Sequence, residues 1–185
     1  FFITHLHADH LGLVSSLATD TSIVYFNQED AALYNSCGYW EKVYNFARIN
    51  GFPEDELRWV VKNNPAIKYS SRGHLDFYIL KEGDTLDIGD YLFRCIKTPG
   101  HSRGHMCLYE PSKKLFISGD HILGDITPNI TLWSDDRNPL GEYLDSLSKV
   151  YNLDVELVLP GHRGAFKNHK ERIQELKEHH QTRAN

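Results

Sequence analysis

With 185 residues, 41% hydrophobic and 24% charged, the chain has the length and composition of one soluble globular domain able to bury a core. A formal net charge of -5 gives it no general electrostatic reason to bind nucleic acid or an anionic membrane. No apolar run approaches the ~18 residues that a membrane span needs, and no signal peptide is visible; a cytoplasmic setting is expected from the cysteine usage.

The first residue is Phe rather than Met, and the chain reads as a piece of a longer protein. Phe1-Phe2-Ile3 reads as the end of a buried strand, followed by a histidine-rich loop from His5 to His10. Leu11 to Ala18 resembles a short helix, and Thr21 to Phe26, β-branched and aromatic, reads as a strand. Asn27 is a good N-cap, with Glu29 and Asp30 in the first turn of a helix running toward Ser36. Tyr39 to Ile49 is a second helix with Gly51 as its stop signal. Pro53 at N1 and the acids Glu54, Asp55 and Glu56 open a third. These make a helical segment at about 27–64, whose aromatic side chains read as core in preference to a wall over a site. Asn63 to Gly73 is loop-like.

After this region come short strands broken by turn residues: Phe77 to Leu80, Thr85 to Ile88, Tyr91 to Lys97, Met106 to Tyr109 and Leu115 to Ile117. Pro111-Ser112-Lys113-Lys114 is a hairpin signal. Pro139 to Tyr151 is helical, with Leu140, Leu144, Leu147, Val150 and Tyr151 on one face. Val155 to Leu159 is a buried strand, and Lys170 to Thr182 a charged helix with a thin stripe of Ile173 and Leu176. Cys37, Cys95 and Cys107 show no paired spacing and fit reduced thiols, the last two as small buried hydrophobes.

The densest chemistry lies in His5-Leu6-His7-Ala8-Asp9-His10. Three further candidates follow strand-like stretches: His101 in Thr98-Pro99-Gly100-His101, Asp120 in Ser118-Gly119-Asp120, and His162 in Pro160-Gly161-His162. Groups on strand-end loops converge on one sheet edge. Residues two apart in extended chain point the same way, so His5 and His7 can aim at one metal, Asp9 and His10 at a second. A carboxylate such as Asp120 can bridge two ions. Imidazole and carboxylate without sulfur suit zinc, and more than four ligands leave open the positions that a closed structural site lacks. Two divalent ions, two ionised aspartates and a hydroxide sum to a net positive charge, which favours hydrolysis through an anionic transition state.

These motifs, taken together over nearly the whole chain, resemble those of the metallo-β-lactamase superfamily. The resemblance implies an αββα sandwich of the α/β class, here lacking its first strands. It also implies one metal on His5, His7 and His101, a second on Asp9, His10 and His162, and Asp120 bridging. Asp9 is the expected catalytic residue, orienting the hydroxide and shuttling a proton. Secreted β-lactamases of this fold typically carry Cys or Ser where Asp120 stands, and diiron reductases Glu where His7 stands. The terminal helix looks like the linker of a branch that includes β-lactamase-like endoribonucleases.

Arg103 could bind a substrate carboxylate or phosphate, and His105 and His121 could orient ligands or contact substrate. His74, His169, His179 and His180 fall outside any ligand pattern. The expected function is therefore a zinc hydrolase with two Zn2+ and a bridging hydroxide, acting on a small ester or thioester as glyoxalase II does. Iron or manganese are the alternative metals. The alternative activities are RNA phosphodiester hydrolysis, which the acidic balance disfavours, and a mononuclear iron dioxygenase. A remnant that has lost catalysis is the non-enzymatic alternative. A small molecule is the expected partner; the sequence sets no oligomeric state.

Overall fold

Two sheets stack in this computed structural model, which describes residues 1–36, 38–64, 68–69, 75–134 and 136–184. The smaller pairs β1 (Tyr25–Asn27) with β2 (Tyr78–Leu80) in parallel, and Ile3 N–H donates to Tyr25 O beside them at 3.0 Å. The larger has the order β3 (Thr85–Ile88), β4 (Tyr91–Lys97), β5 (Met106–Glu110), β6 (Leu115–Gly119), β7 (Leu157–Pro160). Its first four strands are antiparallel neighbours, and β7 joins parallel to β6.

Side chains alternate faces along a strand, and that alternation sorts the core into three layers. Between the sheets lie Leu80, Phe93, Cys95, Met106 and Leu108. On the other face of the large sheet, Ile96, Cys107, Phe116 and Val158 meet two helices, α6 (Pro139–Tyr151) and α7 (His169–Ala184). On the outer face of the small sheet, Phe26 meets Leu11 of α1 (Ala8–Leu11), Val14 of α2 (Val14–Leu17) and Ala31 of α3 (Gln28–Tyr34). The layering is helix, sheet, sheet, helix, as expected for an αββα sandwich. Two more helices, α4 (Tyr39–Ile49) and α5 (Glu54–Asn63), extend from α3.

Several expected elements shift. The strand from Thr21 shrinks to Tyr25–Asn27 because Thr19 N–H donates to Ser22 Oγ at 3.0 Å and Ser22 N–H to Thr19 O at 2.9 Å, a local turn that competes with strand pairing. The helix expected from Leu11 to Ala18 starts at Ala8 and breaks into α1 and α2. Pro53 is the extended N-cap of α5 rather than its first helical residue. On α6 the buried face is rotated toward Tyr143, Ser146, Leu147 and Val150. Cys37, His74 and most of the loop from Asn63 to Gly73 lie outside the described residues.

The topology also places the predicted ligands. β5 runs opposite to β4 and β6, and β7 runs with β6, so the C-terminal ends of β4, β6 and β7 share one edge. The loop 98–105, Asp120 and His162 all leave from that edge. A register shift between Ile117 and Gly119 re-aims the chain just before Asp120.

The docking of α7 rests on Ile173 and Leu176, which are fully buried although the rest of the helix is charged. Leu176→Ala is expected to lower unfolding free energy by roughly 2–5 kcal/mol. Ile49→Ala, at a side chain 70% exposed, should stay within about 0.5 kcal/mol in the same denaturant titration.

Candidate metal centre

The structure brings all seven predicted ligand residues to the one sheet edge. His5 is buried, and its Nε2 lies 2.9 Å from His7 Nδ1 and 3.2 Å from His101 Nε2. His7 is extended and precedes α1, so Asp9 and His10 turn away from it onto the helix. There His162 Nε2 lies 3.1 Å from Asp9 Oδ2 and 3.3 Å from His10 Nε2. Asp120 stands between the two clusters: Oδ2 is 3.5 Å from His101 Nε2 and 3.4 Å from His162 Nε2, and Oδ1 is 3.4 Å from His10 Nε2. The groups His5/His7/His101, His5/His10/Asp120 and Asp9/His10/His162 each have their donor atoms within 4.8 Å of one another.

Protonation makes this packing informative. His101 Nδ1 faces Asn129 O at 2.8 Å, and a carbonyl only accepts, so that nitrogen carries the proton and Nε2 presents a lone pair. Burial lowers the pKa of His5 and His101, and that of His7 to about 4, so these rings are neutral at pH 7. Neutral lone pairs then face one another with a carboxylate beside them. Asp120 Oδ1 is buried with no hydrogen-bond partner among the described residues. Such a donor set fits a divalent cation, and imidazole with carboxylate suits zinc or iron.

Around the predicted ligand residues sit groups that hold them in place. His105 Nε2 accepts from Asp120 N–H at 3.2 Å, which leaves Nδ1–H to donate to Thr98 Oγ1 at 2.8 Å. His105 thus contacts Asp120 through its backbone and not through its carboxylate. His121 is fully buried against Tyr143, with ring centroids 5.3 Å apart, and burial lowers its pKa to about 3. Arg103 donates to Ser134 Oγ at 2.8 Å and to Asp136 Oδ1 at 3.0 Å. Gly100, at φ 134, lies where an added Cβ would come within 2.5 Å of Tyr143 Cβ, so only glycine lets α6 pack against the His101 turn. His169, His179 and His180 lie on α7, outside all three ligand groups.

Sequence reasoning missed Asp30. Its side chain is fully buried and takes Leu6 N–H at 3.0 Å and Ser102 Oγ–H at 2.7 Å on Oδ2, and Gly104 N–H at 2.6 Å on Oδ1. It therefore ties the loop carrying His5 and His7 to the loop carrying His101 and His105. Burial raises its pKa to about 6 even though these donors favour the ionised form. The signal available was an acid one helical turn before Tyr34, on the face that packs inward.

His7 and His101 also line a cleft of about 340 Å³ with Leu6, Tyr39, Val43 and Trp133. Tyr39 and Val43 come from α4, so part of the helical segment does wall this cleft.

Comparison with known proteins agrees with this geometry. A family model described as the Metallo-beta-lactamase superfamily matches residues 2–162. The human acyl-coenzyme A thioesterase MBLAC2 is 26% identical over 168 residues, covering 88% of this chain and 55% of that protein. The chain thus spans about half the length of this relative. Among solved structures, the metallo-beta-lactamase family protein TTHA1429 from Thermus thermophilus superposes with a TM-score of 0.82 at 26% identity, covering 98% of this chain and 60% of that one. TTHA1623, solved in a di-iron-bound form, gives a TM-score of 0.60 at 25% identity, covering 92% and 72%.

Removing the Asp30 carboxylate strands the half-buried Leu6 N–H and the buried Gly104 N–H. Asp30→Ala should cost roughly 2–4 kcal/mol in thermal or urea denaturation of the metal-free chain. Metal titration should show affinity lower by about 10–100-fold. A variant with unchanged affinity would remove the positioning role. The pH dependence has a definite sign. Unfolded histidine titrates near 6.5, above the lowered values of His5, His7, His101, His105 and His121. The unfolded chain therefore binds more protons below about pH 6.5, and stability falls as pH drops from there toward 4. Asp30 acts oppositely, since its raised pKa favours the folded chain as pH falls through about 6, but several histidines outweigh one carboxyl. Urea midpoints of metal-free protein should decline across this window; a flat or rising profile on acidification contradicts the assignment.

Proposed function

Since the chain belongs to the metallo-beta-lactamase superfamily, we propose that it is a metal-dependent hydrolase acting on a small ester or thioester, with the thioester favoured. The observation that supports it most is the convergence of seven donor residues, in groups within 4.8 Å, around a buried carboxylate oxygen that has no hydrogen-bond partner among the described residues. The thioester preference draws on the relative named as an acyl-coenzyme A thioesterase.

In this reading His5, His7 and His101 would hold one ion, Asp9, His10 and His162 a second, and Asp120 both. Two zinc ions are the first choice and a pair of irons the second, in view of the di-iron neighbour. Such ions supply Lewis acidity and water activation near neutral pH. The chain's own groups do the rest. Asp120 is 9% exposed at its side chain and Asp9 59%, so Asp120 serves as fixed negative charge while Asp9 can exchange protons with solvent. Asp9 orients the attacking water and accepts its proton. As the C–S or C–O bond breaks, the proton taken up by Asp9 passes to the leaving thiolate or alkoxide, which departs as thiol or alcohol and restores the carboxylate. The cleft beside His7 and His101 receives the acyl or thiol half, and Leu6 and Val43 offer it apolar contact there.

Elemental analysis of protein prepared without added metal, joined to a screen of thioester, ester, phosphodiester and lactam substrates, tests this. Thioester turnover with two ions per chain is the expected result. Asp120→Ala and His10→Ala should each reduce turnover by more than about 100-fold, beyond what outer-shell changes cost, and lower metal content. Undiminished turnover in either variant sinks the assignment, and a single iron per chain favours the dioxygenase alternative.

A further inference from the structure

Charge in the cleft is not evenly matched. Its lining holds the cations Lys42, Arg103 and Arg137 and the acids Asp136 and Glu142. Arg103 is engaged with Asp136 at 3.0 Å. Arg137 forks onto Glu142, with both hydrogen bonds at 2.7 Å, and reaches Glu29 at 3.2 Å. Glu29 in turn pairs with Lys97. The two arginines and the two acids thus neutralise each other in place. Lys42, exposed on α4 one turn from Tyr39, has no ion pair or side-chain hydrogen bond among the described residues. It shares the cleft with the apolar side chains of Leu6, Leu33 and Val43 and with His7 and His101 at the candidate metal centre.

An unpaired ammonium is a point charge with three donors, suited to a phosphate or carboxylate oxygen. We propose that Lys42 anchors an anionic group of the substrate, so that the substrate is a thioester bearing a phosphate or carboxylate away from its reacting carbonyl. This rests on the thioesterase reading and gives to Lys42 the anion-binding role for which Arg103 was one candidate in the sequence. The side chains of Leu6, Leu33 and Val43 take the uncharged part between the anion and the carbonyl.

Three thioesters separate the sources of the anion. Acyl-coenzyme A carries phosphate on the thiol half. The N-acetylcysteamine thioester of the same acyl group is neutral. The N-acetylcysteamine thioester of a dicarboxylic half-acid carries carboxylate on the acyl half. With metal-loaded protein, at least one anionic thioester should show a lower KM than the neutral one. Lys42→Glu should raise that KM by about tenfold, in line with a hydrogen bond to a charged group. It should leave kcat and the neutral thioester's KM unchanged, and Lys42→Arg should restore binding in part. The substrate that responds identifies which half bears the anion. Turnover of the thioesters with KM values indifferent to Lys42, or an equal rise for the neutral thioester, overturns the Lys42 assignment and leaves the thioesterase reading standing. Absence of turnover with all three overturns both. Lys42 is exposed, so the variants should fold, and a matching melting temperature verifies it.

Discussion

The Asp30 carboxylate is the interaction on which the site depends. A buried charge is costly unless it is hydrogen-bonded. Here three donors meet it, and they come from two loops far apart in the chain: Leu6 from one, Ser102 and Gly104 from the other. Leu6 sits between His5 and His7, and Ser102 follows His101. Asn27 prepares the position, because its side chain accepts from Glu29 N–H at 2.9 Å and starts the helix that aims Asp30 inward. Close approach completes the clamp: a Cβ on Gly104 would lie 2.5 Å from Asn27 Oδ1 and 2.7 Å from Asp30 N. From there the constraint passes through His105 to the Asp120 backbone.

The rest of the geometry follows from strand direction. Parallel and antiparallel pairing put the C-terminal ends of β4, β6 and β7 on one edge, and each end carries a donor loop. Glycines let those loops crowd together. Gly119 sits at φ 50, where a Cβ would come within 2.8 Å of His105 Nε2, and a Cβ on Gly161 would lie 2.4 Å from Asp120 Oδ1. Asp120 and Asp9 end in different surroundings, one enclosed and one facing water, and the surroundings set what a carboxylate can do.

What was legible in the sequence was local. The bounds of α4 and α6 coincide with periodicity and with Gly51 and Pro139, because those signals act within a turn of the helix. The histidine motif could be read as ligands because a metal needs particular donor types, whatever the packing. Long-range partners were not legible. Nothing near Asp30 in sequence announces Gly104, and nothing near Arg103 announces that Ser134 and Asp136 occupy it. Tyr143 was overlooked for the same reason: its place is decided by Gly100 and by its hydroxyl donating to His121 O at 3.0 Å, contacts that lie 43 and 22 residues away. The strand lost at Thr21 shows the opposite case, a local hydroxyl turn overriding β-branched propensity.

His10 and His162 are neighbours at 3.3 Å although 152 residues separate them. During synthesis the histidine run is exposed early, while its distant partner arrives only when β7 has been made and has paired beside β6. A cation that meets the nascent chain finds at first only local donors, with the loop-closure entropy of nearly the whole chain still unmet. If the proposed centre binds its ions through these residues, full coordination is a late event, and metal occupancy would report that β7 has paired beside β6.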